Sequence, residues 1–254
     1  MEKSNTETTP KTDTSKKPKK GGKSAKLKAK LLNTYYGHPL KDMKLICVTG
    51  TTGKTEVANY VFEILKAAGQ PVEILASEQG IKVSTLHKFL SQSWKSGANY
   101  VVVTAPAESL ERDVFYDLPV HVAALTNFVP AGLNAPSSEE YADAESILFK
   151  MSPNYTVLNR DDAHFSTFEK FAGVKGTLTY GSDRFSTVQI LNHKLYKKGA
   201  EANLAIGTTR FTVATFLTGE PVISYMAAAA AIANALHISP EKITEGIANY
   251  EPAN

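Results

Sequence analysis

The segment Thr49-Gly50-Thr51-Thr52-Gly53-Lys54-Thr55 restricts what this chain can fold into more than any other. It follows a short apolar run, Lys44–Val48, and opens a helical pattern over Lys54–Ala68. A strand, a glycine-bearing turn and a helix in that order are the setting of a phosphate loop. Gly50 and Gly53 let the backbone turn tightly and aim N–H groups at anionic oxygens. The helix N-terminus adds partial positive charge. Lys54 can reach the β- and γ-phosphates of a nucleotide, and the Thr55 hydroxyl can ligate Mg²⁺. Position 48 is Val, so the loop is the shorter T-G-T-x-G-K-T form rather than G-x-x-x-x-G-K-[ST]. The competing reading is a chance Lys-Thr in an ordinary strand–helix turn. Glycine spacing, Lys, Thr, strand and helix all coincide, which argues against chance.

The rest of the chain repeats the strand–helix rhythm. On the first helix Val57, Tyr60, Val61, Ile64 and Leu65 share one face, and Gly69 suits its C-terminal end. Val72–Leu75, Tyr100–Thr104, Val120–Leu125, Tyr155–Asn159 and Thr177–Tyr180 read as strands. Helices are expected over Thr85–Trp94, from a Ser137/Glu140 capping box through Phe149, and over Asp162–Phe171. Near-continuous apolar strands alternating with helices predict an α/β fold, a mostly parallel sheet with helices on both faces. After Gly181 four pieces, Val188–Leu191, Lys194–Tyr196, Ala202–Ile206 and Arg210–Phe216, predict a small antiparallel patch. An Ala-rich helix, about Ile223–Leu236, and a last helix from Pro240 to about Ala248 close the chain.

Charge is uneven. Residues 1–30 hold ten Lys against Glu2, Glu7 and Asp13, so the excess of basic groups sits there and the remaining body is mildly acidic. Residues 1–34 are expected to form a disordered Lys-rich tail, because they offer almost no large apolar side chain to offset the entropy of ordering. Its lysines (Lys16, Lys17, Lys19, Lys20, Lys23, Lys26, Lys28, Lys30) can solvate the chain or touch an anionic surface. The tail has no Arg and no interleaved aromatics, which weakens a specific nucleic-acid reading. Cys47 is the single cysteine, which excludes an internal disulfide framework. Met226–Leu236, the longest apolar stretch, falls well short of the ~20 residues needed to span a bilayer, so no transmembrane segment is expected. With no signal-peptide pattern, a cytoplasmic location is the expectation.

With these residues in view, the chain resembles the central, ATP-binding domain of the Mur ligases, and among them the type that adds the third residue to UDP-N-acetylmuramoyl-dipeptide. The likeness runs through Tyr35–Thr55, Val101–Leu110, Leu125-Thr126-Asn127, Tyr141–Phe149, Leu158–Asp162 and Thr179–Gly181. It implies that residues 35–254 carry the central domain alone, without the N-terminal UDP-substrate domain or the C-terminal ligase domain. It also implies ATP and Mg²⁺ as cofactors and a UDP-muramoyl peptide or a partner protein as partner. The family reaction is ATP-dependent amide formation in peptidoglycan precursor synthesis. A carboxylate attacks the γ-phosphate, and an amine displaces phosphate from the resulting acyl phosphate. By the same likeness Gly50, Thr51, Thr52, Gly53, Lys54, Thr55 and Asn127 bind the nucleotide phosphates.

Several positions depart from the family pattern. Thr104 stands where a Mg²⁺-binding Glu is expected, and Glu108 where a His is expected. An Asp-His pair reads Ala131-Gly132, and the lysine that the family carbamylates reads Glu145. In the segment that holds the adenine, both Asn are gone, replaced by Val222 and Tyr225. Thr55, Glu108 and Glu145 could rebuild a cation site from hard oxygen ligands; the alternative is that both Glu are solvated side chains. Two functional readings follow: an ATP-dependent ligase domain, or a catalytically degenerate homologue that holds nucleotide or a partner and docks by its basic tail. An unrelated phosphate-loop NTPase would need an acid at the end of Tyr100–Val103, where Thr104 stands.

Overall fold

A computed structural model of the chain describes residues 20–129 and 138–251. The strands are β1 (Lys44–Thr49), β2 (Val72–Leu75), β3 (Tyr100–Thr104), β4 (Val120–Leu125), β5 (Tyr155–Asn159), β6 (Gly176–Gly181), β7 (Val188–Tyr196), β8 (Gly199–Ile206) and β9 (Thr209–Thr215). The helices are α1 (Lys23–Tyr35), α2 (Lys54–Ala67), α3 (Val83–Lys95), α4 (Ala107–Glu111), α5 (Ser138–Lys150), α6 (Phe165–Glu169), α7 (Pro221–Ala235) and α8 (Pro240–Asn249). The strands form one nine-stranded sheet in the order β2-β3-β1-β4-β5-β6-β7-β8-β9. Pairing is parallel from β2 to β7 and antiparallel from β7 to β9.

Side chains alternate across the central strands, and each face has its own core. Ile46, Val48, Val102, Val122 and Val157 pack with α2, α7 and α8 on one face. Leu45, Cys47, Val101, Val103 and Leu158 pack with Leu86 and Leu90 of α3, Leu110 of α4, Leu148 of α5 and Phe168 of α6 on the other. Each fully buried aliphatic side chain contributes about 1.5–3 kcal/mol, so a strand flanked on both faces is held firmly. Cys47 lies fully buried in β1, and burial pushes its thiol well above the ordinary range.

The Ala-rich α7 contacts β5, β6, β7 and β8 as well as α2 and α8. It is buried almost all round, and five consecutive alanines, Ala227–Ala231, are inaccessible. Alanine has the highest helix propensity and the smallest side chain that keeps it, so the helix can sit close to neighbours on several sides.

Three expectations change. The residues read as a tail through residue 34 include α1, which buries Ala29 and Asn33. Lys26 and Lys30 place their ammonium groups over the Tyr116 ring, with Nζ 5.0 and 5.7 Å from its centroid. The residues that α1 buries are Ala29 and Asn33, while Leu27 and Leu31 stay exposed, so hydrophobic periodicity does not register it. Residues 1–19 of that tail, and Ser137 of the expected capping box, lie outside the described residues. The expected antiparallel patch is β7, β8 and β9, and it continues the main sheet because β7 pairs with β6. The pieces Val188–Leu191 and Lys194–Tyr196 are one strand, irregular between Ile190 and Asn192. Finally, the helix expected over Asp162–Phe171 is only the short α6.

The contact between α2 and α8 depends on Gly246. A Cβ there would collide with the backbone of Ile64 and Glu63. Gly246→Ala is expected to lower the unfolding free energy by about 1–3 kcal/mol, read from urea denaturation against the parent chain.

Candidate active site at the phosphate loop

β1 ends at Thr49, and the chain turns through Gly50 and Gly53 into α2. Both glycines have positive φ, +128° and +78°. A Cβ on Gly50 would run into the Thr126 hydroxyl and the Asn127 backbone, and one on Gly53 into the Tyr225 ring. No other residue type fits either position.

The segment after β4 braces this turn. The Thr126 N–H donates to the Thr49 carbonyl at 2.9 Å, and the Thr51 N–H to the Asn127 carbonyl at 3.1 Å. The Thr126 hydroxyl donates to the Thr52 carbonyl at 2.6 Å. Asn127 grips Thr52 from both ends of its amide. Its Oδ1 accepts from the Thr52 N–H at 3.1 Å, and its Nδ2 donates to the Thr52 hydroxyl at 2.9 Å. Asn127, expected at the phosphates, thus shapes the loop, and the N–H groups of Thr51 and Thr52 are engaged within the chain. The amides left to meet an anion are those opening α2, which has no side-chain cap.

Two residues from outside the loop support the brace. Asp162 accepts the Phe128 N–H at 2.7 Å with one carboxylate oxygen and the His164 N–H at 2.8 Å with the other, and so ties down the segment after β4. Tyr225, where an Asn was expected, rests its ring on Gly53, with its hydroxyl 3.1 Å from the Thr52 hydroxyl. Tyr180 donates its buried hydroxyl to the Thr126 carbonyl at 2.6 Å, and nothing in the local sequence signalled that contact.

Lys54 is buried and folds back over the loop. Its Nζ donates to the Gly50 carbonyl at 3.0 Å and the Thr51 carbonyl at 3.2 Å. It also lies 3.5 Å from the carboxylate of Glu78, a residue in the turn after β2. The Thr55 hydroxyl donates to the same carboxylate. Glu78 was not singled out from sequence. An acid beyond a strand two positions away from β1 in the sheet carries no local signature.

The expected cation ligands do not share a partner. Thr55 engages Glu78. Glu108 is paired with Arg112 at 2.7 Å. Glu145 lies on the underside of the loop, fully buried, against the Thr49 hydroxyl. Thr104 is likewise taken: its hydroxyl accepts the Ser77 N–H at 2.7 Å and donates to the Ser77 carbonyl at 2.9 Å. Ala131-Gly132 lies outside the described residues. Among the described residues no three His, Cys, Asp or Glu side chains gather as a metal site. What remains fits a cation shared with a phosphate. Thr55 and a carboxylate supply hard oxygens, and Mg²⁺ takes only one or two protein carboxylates beside phosphate oxygens and water.

Burial pushes the Glu145 carboxyl up to about 7, outweighing the Thr49 hydroxyl, the Lys54 charge and the Gly50 N–H, which pull it down. The Thr49 hydroxyl also lies 2.6 Å from the Ala105 carbonyl and has one proton to give. A protonated Glu145 donates to Thr49, which then donates to Ala105. An ionised Glu145 claims that proton and leaves the carbonyl without it.

Comparison with known proteins follows this geometry. Residues 48–233 match the model described as the Mur ligase middle domain. The chain belongs to that family. A UDP-N-acetylmuramoyl-L-alanyl-D-glutamate–2,6-diaminopimelate ligase of Bacillus licheniformis is 29% identical over 241 residues, covering 86% of this chain and 49% of the relative. The enzyme of the same name from Listeria monocytogenes is 27% identical with the same coverage. The chain therefore spans about half the length of these Mur ligase relatives. Among solved structures, a ligase of that name superposes with a TM-score of 0.80 at 22% identity, over 91% of this chain and 50% of the other. A Thermotoga maritima MurF ligase in complex with ADP gives 0.69 at 15% identity, over 89% and 53%. An FPGS–AMPPCP–folate complex gives 0.72 at 16% identity, over 91% and 69%. These structures share the fold with the Mur ligase domain described above.

The Glu145 proton has a measurable consequence. Its folded carboxyl titrates above the ordinary 4.5, so the folded chain binds that proton more tightly than the unfolded chain. Its stabilising contribution is complete below about pH 4.5 and is lost as pH rises through about 7. Glu145→Gln is therefore expected to match the parent near pH 4.5 and to gain on it by on the order of 2–3 kcal/mol by pH 8. Urea unfolding at the two pH values checks this.

Proposed function

We propose that this chain is the nucleotide-holding part of an ATP-dependent ligase that joins a carboxylate to an amine in peptidoglycan precursor synthesis, with a UDP-muramoyl peptide as the carboxylate substrate. The observation that carries the reading is Lys54, buried and folded over the Gly50 and Thr51 carbonyls at the uncapped start of α2. An ammonium, an uncapped helix N-terminus and a hydroxyl then face one anion site. Thr55 and a neighbouring carboxylate would hold Mg²⁺, which when bound neutralises charge on the β- and γ-phosphates. Thr126 and Asn127 hold the loop in its path, so little reorganisation is needed when phosphate arrives. A reducing, cytoplasmic setting suits the free, buried Cys47. Among the described residues no helix is long and apolar enough to cross a membrane.

A second reading is favoured by Thr104. In place of an acid beside the loop there is a hydroxyl committed to Ser77. That fits a homologue that holds nucleotide without turning it over and uses its Lys-rich N-terminal segment to dock on an anionic surface or a partner protein. Binding of ATP with Mg²⁺ but no hydrolysis or ligation with muramoyl peptide and amino acid would select this reading.

The shared core of both readings is the loop. Isothermal titration is expected to show ATP and ADP binding to the chain. Lys54→Ala, with its fold checked by circular dichroism, is expected to lose it, because removing the ammonium leaves the phosphate charge uncompensated. Unchanged ATP affinity in that variant overturns the assignment.

A further inference from the structure

We infer that Glu78 supplies the carboxylate ligand of the divalent cation that accompanies the nucleotide, and that Thr104 positions it. The inference rests on the nucleotide reading above and names the cation ligand within it. Glu78 sits in the turn between β2 and α3. One carboxylate oxygen accepts from the Thr55 hydroxyl, and the other lies 3.5 Å from Lys54 Nζ. Thr55 and Lys54 are the two loop side chains that face phosphate and its cation in a phosphate loop.

The other carboxylates near this end of the sheet are committed elsewhere. Glu108 pairs with Arg112, and Glu145 is buried beneath the loop with Thr49. Glu78 is 60% exposed, so it can swing from the Thr55 hydroxyl onto a cation that this hydroxyl ligates. A Mg²⁺ ion there would take the hydroxyl, one carboxylate, phosphate oxygens and water, its ordinary set.

Thr104 explains how an acid in this turn reaches the loop. It ends β3, the strand beside β1, with Val48 opposite it. Thr104 carries no carboxylate of its own for the loop. Its hydroxyl instead holds both the N–H and the carbonyl of Ser77, the residue before Glu78. The turn after β2 is thereby drawn over the end of β3, and the carboxylate comes from the neighbouring strand's loop. Thr104 is a positioning residue.

The opposing reading makes Glu78 an anion that fills the phosphate position until nucleotide displaces it. Two titrations on the full chain separate them. The first is ADP affinity in EDTA, by calorimetry. The second is Mn²⁺ affinity of the ADP-bound protein, by electron paramagnetic resonance of free Mn²⁺. Glu78→Gln is expected to keep or tighten ADP binding in EDTA and to weaken Mn²⁺ by about ten-fold or more. Thr104→Val, with an unchanged thermal melt, is expected to move Mn²⁺ affinity in the same direction while leaving ADP affinity in EDTA unaltered. If Glu78→Gln binds ADP and its Mn²⁺ affinity stays within about two-fold of the parent, well short of the loss expected for a cation ligand, the inference is overturned. Tighter ADP binding with unchanged Mn²⁺ affinity assigns Glu78 the opposing role. If the parent chain binds no ADP with or without Mn²⁺, the nucleotide reading itself fails and takes this inference with it.

Discussion

Everything at the candidate site depends on the backbone path between Gly50 and Gly53. That path is possible because glycine adopts positive φ, and two side chains from distant parts of the chain, Thr126 and Tyr225, occupy the space where a Cβ would project. The turn is therefore over-determined: conformation demands glycine, and so does packing. Its carbonyls at Gly50 and Thr51 turn inward to Lys54, which lets an ammonium be buried without losing all its hydrogen bonds. The strands on either side hold the ends fixed, because β1 lies between β3 and β4 in the middle of the parallel region.

Charge around the loop is sorted by depth. Beneath it, Glu145 is sealed from water and titrates near neutrality. Above it, Glu78 is open to solvent and in contact with Lys54 and Thr55. A fully ionised carboxylate at both places would hold more negative charge than one buried lysine offsets, and burial relieves this by favouring the protonated form of the lower one. The positions where the family resemblance leads one to expect other residues are thus not simply blank. Thr104 clamps a neighbouring turn, Glu145 reads the proton, and Tyr225 packs on the loop.

The elements that sequence patterning found are those with strong local periodicity. β1, β3 and β4 are continuous apolar runs, and α2 has its apolar side chains on one face. The loop between them carries glycine, lysine and threonine in the spacing of a phosphate-loop motif. Patterning failed where burial uses small or polar side chains. α1 buries only Ala29 and Asn33 and sets the ammonium groups of Lys26 and Lys30 over the Tyr116 ring, so it read as tail. It also gave no sign of polar contacts made at long range. Asp162 accepts the nearby His164 N–H, as an Asp opening a helical turn does, and also the Phe128 N–H, 34 residues away in sequence.

The amino-acid sequence by itself determined the order of the main strands and helices from β1 onward, the place of the loop and its family, because these rest on contacts between near neighbours and on residue types that few other roles require. Only the tertiary structure decided which carboxylate meets the loop. Glu78, Glu108 and Glu145 are chemically alike, and all belong to segments that the sheet brings to the same end. Burial, the Arg112 pair and the Thr104 clamp distribute them, and each is set by chain segments far apart in sequence.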